Sequence, residues 1–123
     1  MEFVPKDEKA IAENKPLNAG VFQYEILEAW EKTSQAGNPM FELKVQVTNG
    51  NGVSRTLVDY LLPKGIRAEK LLHCCISCGI RDVYDSGSLP ASAFVGRRGR
   101  LRLGIEKRKG FPDRNVIEDY LAA

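Results

Sequence analysis

Apolar and polar residues alternate along much of the chain, and a helical period interrupts the alternation once. Over residues 21–30, Phe22, Tyr24 and Ile26 alternate with Gln23 and Glu25, which predicts a strand with one buried face. After Ile26 the apolar set slips by one, to Leu27 and Ala29, and the slip predicts a bulge or bend. A turn-rich stretch, 31–39, closes on Gly37-Asn38-Pro39. The second strand is predicted over 40–48, with Phe41, Leu43, Val45 and Val47 on one face and Glu42, Lys44 and Gln46 on the other. Asn49-Gly50-Asn51-Gly52 then predicts a hairpin, because Asn and Gly accept the positive φ that such turns require. The third strand is predicted over 53–61, where Leu57 and Leu61 compete with Val58 and Tyr60 for the inward face.

Pro63-Lys64-Gly65 ends the strands, and the period changes. Ala68, Leu71, Leu72, Cys75 and Cys78 fall on one stripe of a helix predicted over 66–78, with Gly79 as its C-terminal cap. Residues 81–90 read as a loop and 91–95 as a short helical turn. Alternation returns over 96–109, where Arg98, Arg100 and Arg102 interleave with Leu101, Leu103 and Ile105, the last three expected in the core. Residues 111–114 read as a turn and 115–121 as the fifth strand. Phe22, Tyr24, Phe41 and Phe94 are expected in the core. The order strand, strand, strand, helix, strand, strand, with a long bent first strand, predicts a mainly β fold. It is the plan of a five-stranded oligonucleotide-binding (OB) barrel with one α-helix between strands three and four. A small mixed α+β sheet with the helix on one face is the rival. Residues 1–16 are polar and read as an N-terminal arm, with a helical turn at 7–13; residues 17–123 form the single domain.

Charge changes this picture. Residues 1–62 hold six Lys/Arg against nine Asp/Glu, a balance of −3, and residues 63–123 hold twelve against seven, a balance of +5. Within residues 97–109 seven bases face one acid, Glu106, although the formal net charge of the whole chain is only +2. Positive charge collected beside aromatics points to a polyanion with bases to stack. On the OB plan a ligand crosses the face of strands two and three, between the 31–39 loop and the loop joining strands four and five. That places Trp30, Lys32, Lys44, Arg55, Tyr60, Lys107, Arg108, Lys109, Phe111 and Arg114 at the groove, with Arg98, Arg100 and Arg102 beside it. The opposing reading is that these charges simply solvate a surface.

Other chemistry is sparse. Cys74, Cys75 and Cys78 are three cysteines within five residues, which is no disulfide framework. A zinc site needs four converging ligands, and no second Cys/His pair exists to complete one. The Cys75–Cys78 spacing suits redox chemistry, but the pair lies near the end of the helix where its dipole does not favour a thiolate. His73 has no nucleophile beside it in sequence, and neither a phosphate-binding loop nor an HExxH motif is present. Asp82 and Asp85 read as solvated loop acids. The residues therefore predict a non-catalytic protein without cofactor or metal. The N-terminal residues do not read as a signal peptide and no apolar run is long enough for a membrane span, so the expectation is a cytoplasmic protein.

A resemblance adds to this. Leu17 to Gly20, the stretch from Glu31 to Met40, Arg55 to Leu61, Gly96 to Glu106 and the ending Asn115 to Leu121 resemble a family of small phage and prophage proteins regarded as single-stranded-DNA-binding-like. The resemblance runs from Leu17 onward and implies an OB fold. It also implies a role protecting single-stranded DNA in phage replication or recombination, inside the host cytoplasm. RNA offers the same phosphates and bases. The alternative function is an adaptor that docks a phage recombinase or replication protein through the same barrel. A homodimer would lengthen the binding site. The helix cysteines are not part of the family pattern, and the ending Asp119 to Ala123 is not a long acidic tail of the kind that recruits partners.

Overall fold

The computed structural model describes residues 16–65 and 68–122. The predicted arm up to residue 15, the helical turn expected at 7–13 and the first two residues of the predicted helix lie outside the described residues. Five antiparallel strands form one sheet: β1 (Gly20–Thr33), β2 (Pro39–Thr48), β3 (Ser54–Leu61), β4 (Arg98–Arg108) and β5 (Phe111–Leu121), in the order β3-β2-β1-β4-β5. Between β3 and β4 lie helix α1 (Ala68–Ser77), the short helix α2 (Arg81–Asp85) and a turn of 3-10 helix at Ala91–Phe94. The fold is thus mainly β with its main helix where the sequence pattern places it. The sheet is not closed into a barrel: β3 and β5 are its two free edges. Among the described residues no helix is long and apolar enough to cross a membrane.

β1 organises the sheet. Its first half pairs with β4, from Gly20 opposite Leu103 to Glu25 opposite Arg98, and nearly all of it pairs with β2. The register shifts between Ile26 and Glu28, at the slip in the apolar pattern. An extra residue there lets Ile26 and Ala29 both turn inward, with Ala29 opposite Leu43. The β2–β3 hairpin closes as the sequence predicts. The Asn49 side-chain oxygen accepts from the N–H groups of Asn51 and Val53 at 2.9 and 3.0 Å, and Gly52 takes φ +77°.

One face of the sheet is the core. Phe22, Tyr24 and Ile26 of β1, Phe41 to Val47 of β2 at alternate positions, Leu61, Leu101, Leu103, Ile117 and Tyr120 are all buried, and Phe94 packs edge-on against Phe41 at 5.2 Å. Full burial of one such side chain contributes about 1.5–3 kcal/mol. α1 covers this face with Leu71, Cys74, Cys75 and Ser77, and Cys78 joins them just past its end. Its apolar stripe is therefore rotated from the predicted one, with Cys74 in the core and Leu72 only half-buried. The end of α1 approaches β4 very closely. Ser77 Oγ receives the Tyr24 hydroxyl at 2.9 Å and donates to Arg100 O at 3.2 Å. A Cβ on Gly99 would lie 2.7 Å from that Oγ and 2.8 Å from the Tyr24 hydroxyl, so only glycine fits.

Four expectations need correction. Arg81–Asp85 is helical rather than loop, because Gly79, at φ +80°, ends α1 and allows the chain to start a new turn at once. That makes two α-helices between β3 and β4, not one. Residues 111–114 belong to β5 rather than to a turn, since they pair with the far half of β4, from Arg108 opposite Phe111 to Glu106 opposite Arg114. Ile105 is 38% exposed rather than core, because this part of β4 runs past the end of β1 and past the core beneath it.

The two free edges are tied together at one point. The Tyr120 hydroxyl donates to Asp59 Oδ2 at 2.7 Å, and Lys70 Nζ, from α1, reaches Asp59 Oδ1 at 3.0 Å and Ile117 O at 2.6 Å. Beside this knot, Asp119 accepts from or ion-pairs with His73 Nδ1 at 2.9 Å. Away from it the edges stand apart and bound a cleft of about 970 Å³.

Candidate nucleic-acid interface

The registers sort the predicted site residues by face. Residues directly opposite in antiparallel strands share a face. Lys44 lies opposite Glu28 and Val58, and Trp30 and Tyr60 flank Glu42 on either side. Arg98, Arg100 and Arg102 lie opposite Glu25, Gln23 and Val21. All of these stand on the outer face, the one turned away from the core. Trp30 is 39% and Tyr60 48% exposed, so both rings present area to solvent. Lys32 joins them at the end of β1, with its Nζ 3.9 Å from Glu42 Oε2.

Arg55 does not belong to this surface. It lies opposite Val47, on the core side of β3, and its guanidinium donates to its neighbour's carbonyl, Ser54 O, at 2.9 Å. There it borders a smaller hollow with Leu17, Phe22, Asn49 and Asn51. The sequence did not decide which face of β3 points inward; the register with β2 does.

The remaining basic residues gather on the β4–β5 hairpin. Gly110, at φ +79°, makes its turn. Phe111 is 66% exposed and the Arg108 guanidinium stacks over its ring at 5.4 Å. Arg108 also donates to Pro112 O at 3.1 Å, while its Nε has no partner. This hairpin lies beyond the N-terminal end of β1, whereas the β1–β2 loop lies beyond its C-terminal end. The two loops thus bracket the outer face from opposite ends of β1.

Acids neutralise part of the positive charge. Arg98 pairs with Glu25 at 3.1 Å, Arg102 with Glu118 at 3.1 Å and Arg114 with Glu106 at 2.9 Å. Lys44, Arg100, Lys107, Arg108 and Lys109 have no ion-pair partner among the described residues. Glu42 shapes the aromatic end of the face. Its carboxylate, as a hydrogen-bond acceptor beside the Tyr60 phenol and then as a negative charge, pushes that phenol above its ordinary pKa. The alternation alone marks Glu42 as a polar spacer. Its place between the two rings follows only from the β1–β2–β3 register, which no local signal announces.

The cysteines have a packing role. All three thiols are free and buried, and burial pushes Cys75 up to about 12. Cys78 is held below the usual thiol range by the Cys74 thiol donating to it, with Arg97 adding to the effect. No group of three or more His, Cys, Asp and Glu among the described residues is placed to hold a metal ion. Asp82 and Asp85 are exposed on α2, Asp85 within 3.5 Å of Arg81. Compared with known proteins, the chain matches no family model and no curated protein.

Proposed function

We propose that this protein binds single-stranded DNA without catalysis and with little dependence on sequence, sheltering it during phage replication or recombination in the host cytoplasm. The observation that carries the reading is the β4–β5 hairpin. Among the described residues, Lys107, Arg108 and Lys109 lack carboxylate partners and stand beside the most exposed aromatic, Phe111. Single-strand binding needs cations to follow the phosphates and flat rings to stack the bases. The outer face extends the same chemistry through Arg100, Lys44, Trp30 and Tyr60. The sheet order also supports an OB-type arrangement. Its free edges, β3 and β5, are the two that such a barrel joins, and Tyr120, Asp59 and Lys70 already bridge them.

The test is a titration of oligo-dT at two salt concentrations, followed by Trp30 fluorescence. Binding should weaken steeply as salt rises, because neutralised phosphates release counterions. Absence of binding at low salt overturns the reading. A gel shift comparing single-stranded DNA, duplex DNA and RNA then defines the substrate, and the single strands should outcompete the duplex.

A further inference from the structure

The outer face carries an acid where a phosphate-binding surface should have none. Trp30, Glu42 and Tyr60 lie in one cross-strand row on β1, β2 and β3. Adjacent strands are about 4.8 Å apart, so the two rings rise from backbones roughly 10 Å apart with the carboxylate on the floor between them. The rings are 39% and 48% exposed, while the Glu42 side chain is only 23% exposed, recessed between them. This is a slot with aromatic walls and an anionic base; the Tyr60 hydroxyl lies beside the carboxylate, whose two oxygens offer about four acceptor positions and so keep room for further donors. Among the described residues the one cation within ion-pair distance of Glu42 is Lys32, whose Nζ is 3.9 Å away and half-exposed, too loosely held to close the slot.

Such a slot repels phosphate and receives the edge of an aromatic heterocycle. A carboxylate can only accept hydrogen bonds, so the edge must donate. Guanine presents two parallel donors, N1–H and the N2 amine, which match the two oxygens of one carboxylate. Cytosine and adenine offer a single exocyclic amine. Thymine sets its one imide N–H between two carbonyl oxygens, which the carboxylate opposes. We propose that Glu42, between Trp30 and Tyr60, selects guanine at one position of the bound strand, within a footprint that is otherwise indifferent to sequence. The proposal rests on the single-strand reading above, and it assigns that site a base-selecting residue.

The experiment compares a short oligo-dT with the same oligonucleotide carrying one central guanine, cytosine, adenine or inosine, by fluorescence anisotropy at fixed salt. Inosine keeps N1–H and lacks the N2 amine. The guanine oligonucleotide should bind about tenfold tighter than plain oligo-dT, the range expected of a bidentate base contact. Cytosine, adenine and inosine should fall between. Glu42→Gln should bind plain oligo-dT slightly tighter, since a negative charge is gone, yet lose the guanine preference to within about twofold. A merely structural role for Glu42 would weaken all oligonucleotides alike. Asp85→Asn, which removes an exposed carboxylate on α2, should keep the full preference and controls for net charge. Equal binding of all oligonucleotides by the unaltered protein overturns the proposal and leaves the single-strand reading standing, as does a preference that survives Glu42→Gln. Failure of every oligonucleotide to bind overturns both.

Discussion

β4 has two halves written by one rule and placed in opposite surroundings. Arg98–Leu103 lies between β1 and β5, with α1 beneath it, and two of its three arginines, Arg98 and Arg102, meet Glu25 and Glu118. Gly104–Arg108 runs past the end of β1 with only β5 beside it, and its terminal cations meet no carboxylate among the described residues. In the first half the neighbouring strands supply both the packing and the counter-ions. The second half lacks a neighbour on one side and keeps its charge. Exposed ion pairs of this kind contribute about 0–1 kcal/mol to stability, so on the proposed reading they matter mainly because a phosphate would have to compete with Glu25 or Glu118 for its arginine. A basic stretch in a sequence thus overstates the charge on offer, by the amount its strand neighbours take back.

The largest effect should appear when the support under the first half is ionised. Burial raises the Tyr24 and Tyr120 phenols, most strongly Tyr120, and lifts the Cys75 thiol to about 12. In the unfolded chain these groups lose their protons near pH 9–10, whereas in the folded protein they keep them. The folded state then binds more protons, and stability falls as pH rises. Stability from these groups should be complete below about pH 8 and decline as pH rises further, first through Cys75 and then, above about pH 10, through Tyr24 and Tyr120. Urea midpoints measured from pH 7 to 11 check this. Tyr120→Phe should be less stable at neutral pH, having lost its bond to Asp59, and should show a shallower alkaline decline. An unchanged slope would mean that Tyr120 is not held neutral.

The two glycines of β4 give the same contrast at neutral pH. A Cβ at Gly99 meets Ser77 Oγ, the Tyr24 hydroxyl and the Ser77 backbone oxygen at 2.7, 2.8 and 3.0 Å. None of these can retreat without parting α1 from the sheet, so Gly99→Ala should cost about 2–3 kcal/mol. The three atoms nearest a Cβ at Gly104 all belong to the Glu118 side chain, which can swing out at the expense of its pair with Arg102. Gly104→Ala should cost less than about 1 kcal/mol. Thermal or urea unfolding of the two variants decides the matter, and equal costs would erase the distinction between the halves.

Much of this contrast was hidden in the sequence, for a physical reason. Period-two alternation depends on one chain segment and survives into the structure. Phe22, Tyr24 and Ile26, the bulge at Leu27, the inward row of β2 and the Asn-Gly hairpin are where the pattern puts them. Ile105 obeys the same alternation and is exposed all the same, because burial depends on whether a neighbouring strand extends as far. Arg55 and Glu42 turn on register, which is set jointly by turn lengths and two strands. The helical stripe misses by one position because Cys74 and Leu72 are both apolar, and only the sheet beneath decides between them. The charge asymmetry was plain, but the acids that compensate Arg98 and Arg102 lie far along the chain, at Glu25 and Glu118.

Binding should follow the free charges more closely than the counted ones. Lys107→Ala with Lys109→Ala removes two unpaired cations, and oligo-dT affinity should fall about tenfold at low salt. The slope of log affinity against log salt should shrink by roughly 1.4, at about 0.7 per phosphate contact on a single strand. Arg98→Ala with Arg102→Ala removes the same formal charge but releases Glu25 and Glu118 from their pairs. Its loss should stay below about threefold, with a smaller change in slope. If the arginine pair proves the more costly, the first half of β4 is the strand-gripping element and the hairpin is accessory to it.

The smallest effect expected is that of Phe111→Ala. Its ring is exposed and carries no core packing, so unfolding midpoints should not move. Affinity for oligo-dT should fall about fivefold, at the lower end of what one base stacked on an aromatic contributes, because Arg108 already occupies one face of the ring. Unlike the lysine variants, this loss should persist at high salt, since stacking releases no counterions. A Phe111→Ala defect that vanishes as salt rises would mean that the ring serves only to position Arg108. The hairpin would then act through charge alone, and base stacking would fall to Trp30 and Tyr60 on the outer face.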